Sequence, residues 1–439
     1  MNQSFVVLMV WFMKLEGLLA EIETRRSDLI QLTCDLVSIP TINPPGKNYK
    51  KICEFLSNRL TRSGFDCQIK RAEGAIGDSD LYPRYNLIAR HEGFRSGECI
   101  HFNSHTDVVE PGHGWTKDPF AAVIEEDRIF GRGACDMKGG LASSIIAAEA
   151  FIAFCPDYSG SIEISATADE ETGGFGGVAW FAEEGYFDPK RVQHVIIPEP
   201  LNKDRICLGH RGVWWSELET KGRVAHGSMP FLGDCAVRHM GAVLDEIEKT
   251  LLPQLAKKTT KMPVVPEQAR KSTLNINSIH GGLAEAPENY TGFPSPLVPD
   301  SCRMILDRRY LVEESLEQVK SEVYDILSKV KLSRPSLVYE IKDLWDVKPS
   351  YTEPSSSIVQ SVEASIKHIL GVSPEYVVSP GTYDQKHIDR IGKLKNCIAY
   401  GPGILELAHQ PDEYISISDM VDSSKVMGVT INDLLNKKN

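Results

Sequence analysis

Histidines and carboxylates at the ends of apolar runs define the chemistry open to this chain. Between Ile100 and Gly140 the sequence reads I-H-F-N-S-H-T-D-V-V-E, then a turn with glycine, proline and tryptophan, then D-R-I-F-G-R-G-A-C-D-M-K-G-G. His105 and Asp107 fall at the end of a predicted strand. Asp136 follows the compact loop Gly131 to Cys135, just before a helix that begins near Gly139. Two further apolar runs end on acids: A-T-A-D-E-E-T-G-G, with Glu170 and Glu171, and I-I-P-E-P, with Glu199. Near the C-terminus, E-L-A-H-Q-P-D-E-Y supplies His409. Open α/β sheets place their sites outside the carboxyl ends of strands. Imidazoles and carboxylates in this number point to a divalent cation, zinc first, with cobalt or manganese as alternatives.

Two neighbouring cations need a ligand that bridges them, which a carboxylate can do with its two oxygens. Asp136 is the candidate bridge. The adjacent acids Glu170 and Glu171 suit a division of labour in which one binds metal and the other takes a proton from an activated water. The same acid then protonates the leaving amine, giving hydrolysis without a protein nucleophile. Asp107, two residues after His105, is either a turn aspartate or the acceptor for the ring N–H of a ligand histidine. Taken singly these signals are weak, because an E-E pair is commonly solvated surface and D-x-K-G-G is a common helix entry. Their shared setting, after a β-like run and before turn sequence, raises them together. Cys135 reads as scaffolding rather than as a nucleophile.

The elements that must position these groups follow from periodicity. Leu15–Val37, Tyr49–Ser63, Gly140–Phe154 and Val178–Gly185 read as helices, the third apolar nearly all round and therefore buried. Phe65–Ala72, Tyr85–His91, Cys99–Ser104, Ser161–Ala168 and Val192–Pro198 read as strands, and Phe120–Glu126 with Arg128–Phe130 as a short hairpin. This alternation predicts an α/β fold with a mostly parallel, helix-covered sheet. After Gly209 the pattern changes. Strands at Val213–Lys221, Thr273–Ile279, Ser301–Tyr310 and Leu337–Asp346, with helices at Cys235–Leu255 and Glu314–Val330, predict an inserted α+β sandwich. The expected organisation is residues 1–210 and 348–439 as one domain, with 211–347 inserted. The main domain resumes with a helix at Ser355–Leu370, a strand at Cys397–Tyr400 and a final helix from Ser418. The loop from Gly281 to Pro299 reads as mobile, and His210-Arg211-Gly212 as a hinge or an ordinary turn.

A chain of 439 residues exceeds what one core usually holds, about 250–300 residues, so two domains are expected. A formal net charge of -12 argues against nucleic-acid binding. The ten cysteines include no C-x-x-C pair, which favours a reducing, cytoplasmic setting over a disulfide framework. The apolar stretch Phe5–Met13 is far shorter than the ~20 residues of a membrane span and lacks the features of a signal peptide, so no membrane is expected.

S-H-T-D-V-V, G-R-G-A-C-D-M-K-G-G, D-E-E-T-G-G, P-E-P and A-H-Q-P-D-E-Y, in this order, resemble the co-catalytic di-zinc amidohydrolase and metallopeptidase family. That family includes acetylornithine deacetylase, succinyl-diaminopimelate desuccinylase, aminoacylase-1 and carboxypeptidase G2. The resemblance implies two zinc ions per subunit, bridged by Asp136, with His105 and Glu199 completing one site and Glu171 and His409 the other. It implies Glu170 as general base, Asp107 as the residue orienting His105, and a cis bond between Asp136 and Met137. The inserted domain would be a lid that also makes a homodimer. In it, V-A-H-G-S-M-P would place His226 to stabilise an oxyanion, reaching into the partner's site. Asn275 and Arg308, with Arg309 as the competing choice, and Gly381, Thr382 and Tyr383 of G-T-Y-D would contact substrate. The expected substrate is a small N-acyl amino acid or related N-acyl amine. Alternatives are a dipeptidase or carboxypeptidase of the same fold, and a deformylase or deacylase of a heterocyclic amine stacked on Tyr383. A non-catalytic binding protein is the remaining class, disfavoured because every motif acid is present.

Overall fold

The structure, a computed structural model, describes residues 15–282 and 296–436. The apolar stretch Phe5–Met13 and most of the loop Gly281–Pro299 lie outside the described residues. The chain divides into two units. One comprises residues up to Gly209 with Tyr351–Val377 and Tyr383–Asn439, the other His210–Ser350 with Val378–Thr382.

The first unit is built on a large mixed sheet. From one edge the order runs Asp66–Arg71, Tyr85–Glu92, Ser159–Thr167, Arg95–His105, His194–Ile197, Cys397–Ala399 and Arg205–His210. The pairings from Ser159–Thr167 to Cys397–Ala399 are parallel, whereas Tyr85–Glu92 pairs antiparallel with both its neighbours and Cys397–Ala399 pairs antiparallel with Arg205–His210. The sheet is thus parallel at its centre and mixed as a whole, a common arrangement in large α/β sheets.

The two central strands have unlike faces. Ile100 and Phe102, with Ile162, Ile164 and Ala166, enter a core shared with the helix Gly139–Phe154. Gly, Ala, Ser, Ile and Leu on every side of that helix make it buried from Gly139 to Phe151. Helices Tyr49–Arg62, Ser357–Leu370 and Ile417–Leu435 contribute their apolar stripes to the same core. Because strand side chains alternate, the other face carries His101, Asn103 and His105 beside Glu163, Ser165 and Thr167 in register, all buried.

A second, small sheet joins Val123–Glu125, Arg128–Phe130 and Tyr414–Ser416. The expected hairpin is present, and its third strand, three residues long, is too short to leave a periodic signal. It brings the segment around His409 to the loop around Asp136. The long helix expected over Leu15–Val37 is broken at Arg25. The Thr24 hydroxyl donates to the Glu21 carbonyl, and Arg25 N–H closes a tight turn onto Ile22.

The second unit is a four-stranded antiparallel sheet in the order Thr273–Gly281, Ser301–Tyr310, Gly212–Lys221, Val338–Val347. The helices Ala236–Glu246 and Leu316–Ser333 cover one face, packing Met240, Val243, Val319, Val323 and Leu327 onto Trp214, Leu218, Met304 and Leu306. Ser315 and Gln318 form a capping box that starts the second helix. Arg211, in the stretch read as a hinge or an ordinary turn, donates to the carbonyls of Ala269, Lys271 and Pro380, which ties it firmly within this unit.

Candidate metal centre

His105 ends its strand with Nε2 3.0 Å from Asp136 Oδ1 and 3.9 Å from Glu199 Oε1. His409 comes from the far end of the chain, with Nε2 3.1 Å from Glu171 Oε1 and 3.5 Å from Asp136 Oδ2. Donor atoms of His105, Asp136 and Glu171 all lie within 4.8 Å of one another. The five ligands expected from sequence therefore surround one small volume, and Asp136 faces both histidines with different oxygens. The Asp136–Met137 bond is cis.

Local structure explains this convergence. Gly140 lets the helix entry approach the strand end, because a Cβ there would lie 1.9 Å from the Pro198 carbonyl oxygen, next to Glu199. Asp169 adopts a left-handed conformation, φ 66°, ahead of Glu170 and Glu171. Both acids' N–H groups then donate to the Asp107 carboxylate, at 3.2 and 3.1 Å. The same carboxylate accepts from Asn43 Nδ2 at 2.9 Å. Asp107 also meets His105. Its backbone carbonyl lies 3.0 Å from Nδ1, while its carboxylate stands at 3.6 Å.

The donor set fits a divalent pair. Asp136, Glu170, Glu171 and Glu199 crowd around two imidazoles. Burial, reinforced by Asp136, pushes the Glu171 carboxyl up to about 7 and Glu199 well above the usual carboxylate range. The hydrogen bond to Glu171 lifts His409 to about 9. His105 is raised despite burial, by Asp107 and Asp136, and Asp136 is lowered despite burial, chiefly by His105. So much negative charge in a desolvated space calls for cations, which would displace the protons these groups otherwise hold. Cys135 is buried and its thiol is pushed well up, as scaffolding requires.

Several supporting residues escaped the sequence reading. Glu413 accepts from the N–H groups of Gly133, Cys135 and Asp136 at 3.0, 2.9 and 3.1 Å. It pairs with Arg132, whose guanidinium also reaches the His409 carbonyl at 3.2 Å. This buried pair locks the two ligand loops together. Behind the Glu170 turn, Asp169 accepts from Arg84 at 2.9 Å and Tyr49 at 3.0 Å. Lys386 Nζ lies 3.2 Å from Glu170 Oε1.

The substrate residues fare differently. His226 and Asn275 belong to the second unit and are exposed; His226 Nδ1 accepts from Ser228, and Asn275 donates to Asn277. Arg308 is a correction. It is fully buried, and its guanidinium pairs with Glu314 at 2.9 Å and Glu322 at 3.0 Å, so it braces the inserted unit from within. Arg309 is the partly exposed neighbour, held bidentate by Asp307. Tyr383 is a second correction. Its ring is buried and its hydroxyl donates to Gln385, so it presents no face for stacking a heterocycle. Gly381 and Thr382 are partly exposed, with Gly381 N–H on Ser379 Oγ at 3.2 Å.

Known proteins resemble this chain in sequence and in fold. The chain is 30% identical over 391 residues to succinyl-diaminopimelate desuccinylase of Nitrosospira multiformis, covering 88% of this chain and 93% of that one. In fold it is similar to the dipeptidase Dug1p of Saccharomyces cerevisiae, with a TM-score of 0.73, 17% identity and coverage of 97% and 99%. It is also similar to the YXEP protein of Bacillus subtilis, described as a dinuclear metal-binding peptidase, with a TM-score of 0.65, 14% identity and coverage of 94% and 99%. The sequence profile described as peptidase family M20/M25/M40 matches residues 101–433, well over half of the sequence. The chain belongs to this family of metal-dependent hydrolases.

Proposed function

We propose that this protein hydrolyses the amide bond of a small N-acyl amino acid, with two divalent cations, zinc first, and Glu170 as general base. His105 and Glu199 would hold one cation, Glu171 and His409 the other, and Asp136 both. The observation that carries this reading is the meeting of His105, Asp136, Glu171 and His409 with Glu170 alongside, on a turn pinned by Asp107. When bound, the cations supply the Lewis acidity that acidifies water and polarises the scissile carbonyl. Glu170 takes the proton of the attacking water and delivers it to the departing amine nitrogen. The Asp107 carbonyl keeps the proton of His105 on Nδ1, leaving Nε2 as the ligating atom.

The desuccinylase among the relatives makes succinyl the first choice of acyl group. The fold likeness to a dipeptidase supports a second reading, cleavage of a dipeptide by the same machinery. A heterocyclic amine substrate loses its support with the burial of Tyr383. A panel of N-succinyl-diaminopimelate, N-acetylornithine, N-formylmethionine and alanylglycine, offered to zinc- and cobalt-loaded protein, discriminates these. An N-acyl amino acid should be cleaved fastest; alanylglycine in first place would favour the dipeptidase. Glu170→Ala should lower kcat about 10²–10⁴-fold, and undiminished activity would remove Glu170 from its role. Less than about one ion per chain after loading would overturn the metal pair. We further infer a homodimer through the inserted unit, with His226 serving the partner's site; light scattering that reports a monomer would refute it.

A further inference from the structure

The buried polar face of the central strands leads to one atom of the site. Glu163 sits at its far end, paired with Arg191 and with Arg90 at 2.8 Å. Its second oxygen is 3.1 Å from His101 Nδ1. His101 Nε2 meets Ser165 Oγ at 2.7 Å, and the Ser165 hydroxyl donates to Asn103 Oδ1 at 2.7 Å. Asn103 Nδ2 donates to Asp384 Oδ2 at 2.8 Å. From Glu163 to Asn103 every side chain in this ladder is fully buried, and Asp384 nearly so.

Asp384 begins the helix Gln385–Arg390, its carbonyl accepting from His387 N–H at 3.1 Å. Fixing Asp384 therefore fixes the first turn of that helix. The turn grips the Glu170 loop at two points: His387 Nε2 lies 2.7 Å from the Gly173 carbonyl, and Lys386 Nζ lies 3.2 Å from Glu170 Oε1. The Lys386 side chain is 1% exposed, against 12% for Glu170. A buried ammonium needs such a partner, and the grip acts on one carboxylate oxygen only. The other oxygen stays open to receive a proton. With cations held beside it, an untethered Glu170 carboxylate would be drawn toward them and away from its proton-transfer position. Apolar residues would pack a sheet face with less desolvation, so a connected polar chain here serves orientation.

We propose that Lys386 is a positioning residue that holds Glu170 for proton transfer, anchored through Asp384 by the hydrogen-bonded ladder Asn103–Ser165–His101, with Glu163 beside His101. The inference rests on the reading of Glu170 as general base. The test compares Lys386→Met, Lys386→Arg and Glu170→Gln in the zinc-loaded, full-length protein, on whichever member of the substrate panel is cleaved fastest. Lys386→Met should keep its metal content and melting temperature and lose about 10²-fold in kcat with KM unchanged, as displacing a reacting group by an ångström does. Lys386→Arg, which keeps a charged donor, should recover part of the loss. Wild-type kcat in Lys386→Met, or a raised KM at unchanged kcat, would overturn the proposal. An active Glu170→Gln would instead overturn the base itself, so the two failures are distinct. Crystal structures of zinc-loaded wild type and Lys386→Met give a readout independent of substrate: the Glu170 carboxylate should shift toward the ligands, and an unmoved carboxylate would count as refutation. Should Lys386→Met fail to fold, Lys386→Gln takes its place with the same expectations.

Discussion

The strands Arg95–His105 and Ser159–Thr167 have two faces made from alternate residues of the same chain segments. On one, Ile100, Phe102, Ile162 and Ile164 meet the helix Gly139–Phe154. On the other, His101, Ser165 and Asn103 form a hydrogen-bonded chain toward Asp384, with the Glu163 carboxylate 3.1 Å from His101 Nδ1 at its far end. Both faces are equally buried, so burial does not distinguish them. The apolar face gains from every ångström of area it hides and tolerates small changes of shape. The polar face recovers a desolvation cost only while each partner is in place. One face holds the sheet together, and the other transmits geometry to the site.

The largest effect expected on this contrast comes from Phe102→Ala. Removing a fully buried ring should cost about 3–5 kcal/mol of stability. Urea unfolding measures the loss, while kcat per folded molecule should hold. A matching fall in kcat would show that the faces are not separable. Next is Glu163→Gln. Burial alone raises the Glu163 carboxyl, but His101, Arg191 and Arg90 outweigh it and hold the group below its usual range. A carboxyl lowered in the folded state stabilises above its unfolded value, and that gain is lost as pH falls through the folded value. Glu163→Gln should therefore cost about 3 kcal/mol at neutral pH. The gap from wild type should narrow as pH drops below about 4, near the unfolded glutamate value. A gap constant with pH would mean that Glu163 carries no charge in the fold.

How far this molecule was legible from sequence depended on distance along the chain. His105, Asp136, Glu171, Glu199 and His409 each follow or flank a short local pattern that places them at a strand end or loop. Their supports have no such pattern. Lys386 reaches Glu170 across 216 positions, and Glu413 reaches Cys135 across 278. Nothing local marks either as a partner, although Glu413 stands inside the motif that contains His409. Arg308 differs, because its own strand carries a local signal of burial. Cys302, Met304, Leu306 and Tyr310 occupy the inward phase of their strand, and Arg308 shares it. Asp107 shows a third limit: spacing identifies the residue, but only the fold decides that its carbonyl faces His105 while its carboxylate binds the Glu170 turn.

The finest test uses neighbours on one strand. Ile164 and Ser165 are both fully buried and point to opposite faces. Ile164→Val removes one methylene and should cost about 0.5–1.5 kcal/mol. Ser165→Ala leaves His101 Nε2 and Asn103 Oδ1 each without its partner and should cost about 1–3 kcal/mol. The two stability losses overlap, so stability alone cannot tell the faces apart. Activity should. Ile164→Val should leave kcat untouched, because packing on the helix does not reach Glu170. Ser165→Ala frees Asn103 to turn, loosens Asp384 and the helix start behind it, and should lower kcat several-fold with KM unchanged. Equal kcat values in the two variants would mean that the polar face stabilises the sheet without steering the site.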